Sequence, residues 1–512
     1  MKHQHISCSN ARVAALAFCL AGFAAVAAPV TNVVKSADPA KPYQTYTYDT
    51  AVYVPFDATT TVTVECPDPA AEKWLKAHFK EWFGKYAPNV KLGATGLKPA
   101  DDPEAYAASA DETGVKIVAN TLMGARWAAY TLRQQLIAKR GTFKTEGYIL
   151  PKLSVTDRPH LAFRAIHLCW FPEVRPQQME RAIRLAALLK FNYVIVEPWG
   201  MYESKKHPWW HWPNPTMTQK EVRRLVAIGK DLGITLIPQI NCYGHATSAR
   251  GCTIKHAMLD ITPEYEPLFE PGGWNWCLSN PETQRVLREL ISEMHENFGK
   301  PPYFHLGCDE AVKQTCPECV KTPNSELVCR HIAGLADYVK KELGARPMIW
   351  HDMLLARGDP RWKGFVHCGN KETATLADTL PKDIIICDWQ YSYGDMKEAR
   401  KEWPTMKYFK DKGFPVAGCP WRNFNAMKPM ADYIAKIGGF GFVETTWHHM
   451  RGSTWEKMFM SASHAAWGSP VSHGVSFQRS LRLVGHDMKV TDYLDTGYLN
   501  YQVPPGWWVD NN

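Results

Sequence analysis

The 512-residue chain contains no Asn-x-Ser/Thr triplet with a permitted middle residue, so it offers no N-glycosylation acceptor. That absence favours a bacterial periplasmic or secreted protein over a glycosylated eukaryotic one. Beyond residue 28 there is no apolar run approaching about 18 residues, and no transmembrane segment is expected. There is no basic block. The formal charge of +8 comes from interspersed Lys and Arg, so a nucleic-acid partner is not indicated. A glycine-rich phosphate loop is also missing, which counts against a doubly wound nucleotide-binding sheet. A Cys-x-x-Cys pair at Cys316 and Cys319 lacks the second such pair that completes a common zinc pattern.

The residues that are present describe a folded, exported chain. Hydrophobic residues make up 45% and charged residues 21%, as in globular proteins of two or three domains. Lys2 and Arg12 precede the apolar run VAALAFCLAGFAAVA, and small residues near Ala27 and Ala28 offer a cleavage point. Residues 1–28 therefore read as an export signal, with an N-terminal anchor as the alternative. Of the cysteines beyond it, Cys169, Cys242 and Cys387 sit in apolar strand-like runs and read as buried free thiols.

Residues 29–157 read as a small α/β (α+β) domain. TTTVTVECP alternates at strand spacing, and AAEKWLKAHFKEWFGKYAP carries Trp74, Leu75, Phe79, Trp82 and Phe83 at three- and four-residue steps. From 158 to 485 eight short apolar runs alternate with amphipathic helices. One helix opens on a capping box, Thr218 with Glu221; another opens on Asn280 with Pro281 at its first position. Eight strand–helix units predict a (β/α)₈ TIM barrel, whose site lies at the C-terminal ends of its strands. Residues 486–512 form a Trp-rich tail.

Acids, histidines and tryptophans recur at the predicted strand ends. The set includes Arg164, His167, Glu197, His245, His305, Asp309, Glu310, Trp350, Asp352, Trp389, Tyr391 and Trp447. Carboxyl groups can donate a proton to a leaving oxygen and stabilise an oxocarbenium-like centre, and indole faces suit the apolar side of a sugar. Glycoside hydrolysis is the chemistry these groups suit. Asp309 and Glu310 are adjacent, however. On a continuing strand they point to opposite faces, so they form an opposed catalytic pair only if the backbone turns at GCDE. If the substrate supplies its own nucleophile, one acid suffices and the other need only orient that nucleophile.

The segment FHLGCDEA closely resembles the His-x-Gly-Gly-Asp-Glu signature of family 20 glycoside hydrolases, the β-N-acetylhexosaminidases, with Cys308 at the second glycine. VTDRPHLAFRAIHL resembles the family's entry into its barrel, and IPQINCYGHA its Pro-Gly-His segment. CDE, VIVEP and WHDML look more like the divergent branch containing hexosaminidase D. The resemblance spans about residues 40–460. It implies a glycan partner bearing terminal N-acetylhexosamine, no cofactor for catalysis, and retaining substrate-assisted chemistry through the 2-acetamido group. By this resemblance Glu310 is the general acid and base, and Asp309 holds the acetamido N–H. Arg164 binds sugar hydroxyls, Glu197 stands for the family's Asp, and His245 and His305 tune and place the acid. Trp350, Asp352, Trp389 and Trp447 line the sugar site. The family's acetamido-contacting Tyr is absent from CPWRNFN, and Tyr391 is the candidate replacement. An inactive glycan-binding homologue and a hydrolase of another 2-acetamido substrate are the alternatives.

Cys316, Cys319 and Cys329, with His331 nearby, form a candidate structural zinc set or a local disulfide clip. His331 also fits a packed helical position.

Overall fold

The computed structural model describes residues 30–34, 44–94, 101–140, 145–247, 259, 261–391, 401–447, 452–468 and 477–488. The segment read as an export signal and the tail beyond residue 488 lie outside them. The first unit is an eight-stranded sheet with two helices. Its elements are β1 (Val30–Val34), β2 (Gln44–Phe56), β3 (Thr61–Glu65), α1 (Ala70–Phe83), β4 (Asn89–Leu92), β5 (Tyr106–Asp111), β6 (Gly114–Ala119), α2 (Leu122–Gln135), β7 (Ile137–Arg140) and β8 (Thr145–Asp157). The path runs β1-β2-β8-β5-β6-β3-β4, with β7 also paired to β8. The alternation in β3 buries Val62 and Val64 and turns its threonines outward. The three- and four-residue steps of α1 bury Trp74, Leu75, Phe79 and Trp82 on one side.

The second unit begins with β9 (Phe163–Trp170), α3 (Pro176–Leu188), β10 (Tyr193–Pro198), α4 (Gln219–Leu232), β11 (Thr235–Pro238), α5 (Pro281–Asn297), β12 (Tyr303–His305) and α6 (Asn324–Lys341). It continues with β13 (Arg346–Trp350), α7 (Leu376–Thr379), β14 (Ile385–Trp389), α8 (Pro404–Asp411), β15 (Val416–Cys419), α9 (Phe424–Lys436), β16 (Gly441–Thr445), α10 (Gly452–Trp467) and α11 (Phe477–Asp487). Strands β9 to β16 pair in parallel, in the order β11-β10-β9-β16-β15-β14-β13-β12. The remaining seam closes through a parallel bridge between Gln239 and His305 and the bonds Ile240 N→His305 O and Cys242 N→Leu306 O, each 3.0 Å. The architecture is the expected (β/α)₈ barrel.

Helix starts follow the sequence signals. Thr218 Oγ1 accepts the Glu221 amide at 3.2 Å, and Asn280 Oδ1 accepts that of Glu282 at 2.9 Å with Pro281 next in line. Inside the barrel, Phe163, Ala165, Ile195, Ile237, Met348, Ile385, Cys387, Ala417 and Val443 form a separate apolar plug. This parity decides which side chains can reach the site.

The two units are joined by a buried polar seam. Asp157, at the end of β8, accepts from Tyr46 and Lys190 at 2.7 Å, Tyr106 at 2.6 Å and the Trp467 indole at 2.8 Å. Donors from both units thus surround this buried carboxylate, which offsets its loss of water.

Candidate active site

The alternation that aims Phe163 and Ala165 inward also aims His167 and Cys169 inward and turns Arg164 outward. Arg164 is the second residue of β9, about 10 Å below His167 along the strand. It is 1% exposed and does not belong to the site, contrary to the expectation that it binds sugar. Its guanidinium makes a two-pronged pair with Glu104 of the first unit (2.5 and 3.2 Å), donates to Lys190 O at 2.9 Å, and lies 4.8 Å from the Trp467 ring centre. Arg164 is a clamp between the two units.

The floor of the barrel mouth is a hydrogen-bonded set. Glu197 accepts from His167 Nε2 at 2.8 Å and Asn241 Nδ2 at 2.7 Å, one on each oxygen. Burial works against its ionised form, but these two bonds hold it below the usual glutamate range. With a bond on each oxygen, the buried Glu197 supports the floor. His305 accepts the Gly307 amide on Nδ1 at 3.1 Å, so its proton sits on Nε2, which has no partner. Burial, with the neighbouring His167 adding in the same direction, pushes His305 well below the ordinary histidine value. Its ring packs 4.3 Å from Trp350.

Above this floor β12 stops after three residues and the chain turns. Gly307, Cys308 and Glu310 all have positive φ, at 64°, 76° and 47°. This is the turn at GCDE that places two sequence neighbours on one side. Two glycines make room for it. A Cβ on Gly307 would stand 2.4 Å from Asn241 Oδ1, and one on Gly244 would stand 2.2 Å from the carbonyl oxygen of Asp309.

The result is an unequal acid pair joined by one imidazole. His245 Nε2 lies 3.5 Å from Asp309 Oδ2 and 3.3 Å from Glu310 Oε2. Asp309 is 4% exposed and its Oδ1 has no partner, while 47% of the Glu310 side chain is open. Burial raises Asp309, with His245 pulling the other way. The His245 hydrogen bond lowers Glu310. Burial alone would lower His245, but the two carboxylates outweigh it and raise it to about 10. In the free site His245 therefore holds a proton that it shares with the two carboxyl groups it bridges.

Asp352 supports this turn from below. It is fully buried, its Oδ2 accepts the Glu310 amide at 2.9 Å, and its Oδ1 accepts the Trp389 indole at 3.2 Å. Burial, then the charge of Asp309, drives its carboxyl well above the usual range. Like Glu197, it is buried and holds other groups in place.

An aromatic wall completes the mouth. Trp350 and Trp447 lie 5.5 Å apart, and Trp389 stacks on Tyr391 at 4.9 Å. Tyr391 accepts the Trp447 indole on its hydroxyl at 2.5 Å. The sequence reading overlooked Trp274, whose indole donates to Glu310 O at 2.8 Å and whose ring lies 4.4 Å from His245. The only signal for it was the aromatic pair in GGWNWC, on a loop with no strand pattern.

Two groups of metal-ligand side chains occur among the described residues: His167, Cys169 and Glu197, and Glu270, Cys277, Cys316 and Cys319. The first already carries the hydrogen bonds of Glu197. The second corrects the expected cysteine set. Cys329 is elsewhere, donating its thiol to Thr379 Oγ1 at 3.4 Å, and His331 donates Nε2 to Cys242 O at 2.7 Å. The third cysteine is Cys277.

Residues 194–464, more than half of the chain, match the family model "Glycosyl hydrolase family 20, catalytic domain". The chain belongs to glycosyl hydrolase family 20. The match opens at the second barrel strand, so Arg164 and His167 lie outside it. Among curated relatives, a beta-hexosaminidase of Vibrio furnissii is 23% identical over 383 residues, covering 66% of this chain and 57% of that protein. A beta-hexosaminidase subunit beta of Entamoeba histolytica is 26% identical over 247 residues, covering 43% and 42%. The chain thus spans about half the length of these relatives. Among solved structures, the family 20 exo-β-N-acetylglucosaminidase of Vibrio harveyi, in complex with N-acetylglucosamine, superposes with a TM-score of 0.62 at 18% identity. That match covers 94% of this chain and 80% of that one. At this identity the likeness establishes the fold.

Proposed function

We propose that this family 20 protein is an exported β-N-acetylhexosaminidase that removes terminal β-linked GlcNAc or GalNAc with retention, using the sugar's own 2-acetamido group as nucleophile. The observation that carries the reading is the unequal pair: a buried Asp309 with one free oxygen beside an open Glu310, both on His245. A free, buried carboxylate oxygen suits an amide N–H. An open carboxyl suits a leaving oxygen. Both sit at the mouth of one barrel under Trp350, Trp389 and Trp447.

In the first step the proton shared by His245 and Glu310 passes through Glu310 to the glycosidic oxygen. The acetamido carbonyl oxygen bonds to the anomeric carbon as the glycosidic bond breaks, forming an oxazolinium ion and releasing the alcohol. Asp309 accepts the acetamido N–H and stabilises the positive charge that develops there. In the second step Glu310, now a carboxylate, takes a proton from water as that oxygen bonds to the anomeric carbon. The ring opens and Glu310 is again protonated. Two displacements at one carbon retain its configuration. No step calls on a cofactor.

Export rests on the N-terminal apolar run behind Lys2 and Arg12. No helix among the described residues is long and apolar enough to cross a membrane.

The test compares the purified protein on 4-nitrophenyl β-glycosides of GlcNAc, GalNAc and glucose. Release from the two acetamido sugars and none from glucose is expected, with a loss of ~10²-fold or more in Asp309→Asn. Equal release from the glucoside would sink the substrate-assisted mechanism, and no release from any would sink the enzyme reading.

A further inference from the structure

Glu270 and Cys277 come from the loop after β11, and Cys316 and Cys319 from the loop after β12. Their ligand atoms all lie within 4.8 Å of one another. Cys277 Sγ is 3.7 Å from Cys316 Sγ and 3.8 Å from Cys319 Sγ. Thiolates bound at about 2.3 Å to a tetrahedral ion stand about 3.8 Å apart. A disulfide would hold one pair of sulfurs at about 2.05 Å and leave the third outside it.

The carboxylate supplies the second, independent sign. Glu270 is 3% exposed. Its Oε2 accepts the amides of Thr315 at 2.6 Å and Cys316 at 2.7 Å, and the Thr315 hydroxyl at 3.3 Å. Its Oε1 is buried with no partner. A buried anionic oxygen left unpaired is costly, and a cation beside it removes that cost. The Cys319 amide donates to Cys316 Sγ at 3.3 Å, the kind of contact that stabilises a thiolate.

We propose that Glu270, Cys277, Cys316 and Cys319 bind one zinc ion in a closed, structural site. Three sulfurs and one oxygen form a soft, four-coordinate set that suits zinc and not calcium or magnesium. Binding releases the three thiol protons. The site lies outside the catalytic pocket but fastens its frame. The same two loops are laced by Asn275 Nδ2→Val312 O at 2.6 Å and Gln314 Nε2→Trp276 O at 3.1 Å, and Trp274 reaches Glu310 O from one of them. The ion would pin the loop that bears Asp309 and Glu310 to the loop that bears Trp274.

The experiment is elemental analysis of the full chain purified without a metal-affinity step, with X-ray absorption at the zinc edge. One zinc per chain, three sulfurs and one oxygen in the spectrum, loss of zinc in Cys277→Ser and in Glu270→Gln, and its retention in Cys329→Ser are expected. Metal-free wild-type protein, or a disulfide from Cys277 to Cys316 or Cys319 in peptide mass spectra, would overturn the site. The spectrum of the wild type decides the matter if the Cys277 variant does not fold, and none of these readouts depends on which sugar is cleaved.

Discussion

The backbone amide of Glu310 donates to Asp352 Oδ2 at 2.9 Å, so a buried acid holds the residue proposed to move the proton. Burial drives Asp352 toward its neutral form, which an asparagine side chain resembles in shape and charge. Asp352→Asn should keep kcat within about ten-fold, because an amide oxygen can still accept from Glu310 and only the longer Trp389 bond is given up. Asp352→Ala should lower kcat by ~10²-fold with a smaller change in KM, because the turn loses its support. Steady-state kinetics on an aryl N-acetylglucosaminide separates the two. Equal losses in both variants would mean that a charge at Asp352 matters, against its supporting role.

His245 carries the shared proton, and its pKa, raised to about 10, sets a pH window. The alkaline limb of kcat/KM should fall well above the ordinary histidine value near ~6.5, as the cluster gives up that proton. In His245→Gln the limb should move to lower pH, since Glu310 then holds its proton unaided. Stability follows the same linkage. A folded value raised above the unfolded one contributes fully below pH ~6.5 and is lost as pH rises through about 10. The melting difference between wild type and His245→Gln should therefore shrink over that interval. A wild-type alkaline limb near pH ~6.5 would contradict the bridging imidazolium.

Much of the barrel was legible because its signals are local. Capping residues such as Thr218 and Asn280, the apolar steps of α1 and eight short runs each declare themselves within a few residues. The acids were legible too, since their neighbours in FHLGCDEA form a compact motif. What the chain could not show was parity and distant convergence. Arg164 and His167 differ by an odd number of positions on one strand, so only one can face the barrel interior, and which one depends on the closed sheet. Cys277 lies 39 residues before Cys316, on a loop without periodicity, whereas Cys329 is nearer in sequence and belongs to a helix. Trp274 reached the site by the same route.

Arg164→Ala tests the parity argument directly. Removing a 1%-exposed guanidinium leaves Glu104 facing a void and takes a cation from the Trp467 face. Breaking a buried pair of this kind costs about 3 kcal/mol. Denaturant or thermal unfolding should show that loss, with KM unchanged at temperatures where the variant is folded. Replacing both partners, Arg164→Met with Glu104→Gln, should recover part of the stability. A raised KM without any loss of stability would place Arg164 back at the sugar.

Glu310→Gln distinguishes a proton donor from a group that merely shapes the pocket. Glutamine keeps the length and a hydrogen-bond acceptor for His245 but has no acidic proton to give. Loss of general acid help should cost ~10²- to 10⁴-fold on a glycoside whose alcohol leaves poorly. On a 2,4-dinitrophenyl glycoside, whose phenolate leaves without protonation, the cost to the first step should be much smaller. The second step would then limit turnover, because the substituted amide cannot take the proton from water. A burst of dinitrophenol followed by slow release is the expected trace. A single slow phase of the same size for good and poor leaving groups would remove Glu310 from the proton-donor role, since the leaving group's own basicity is the only variable changed between the two substrates.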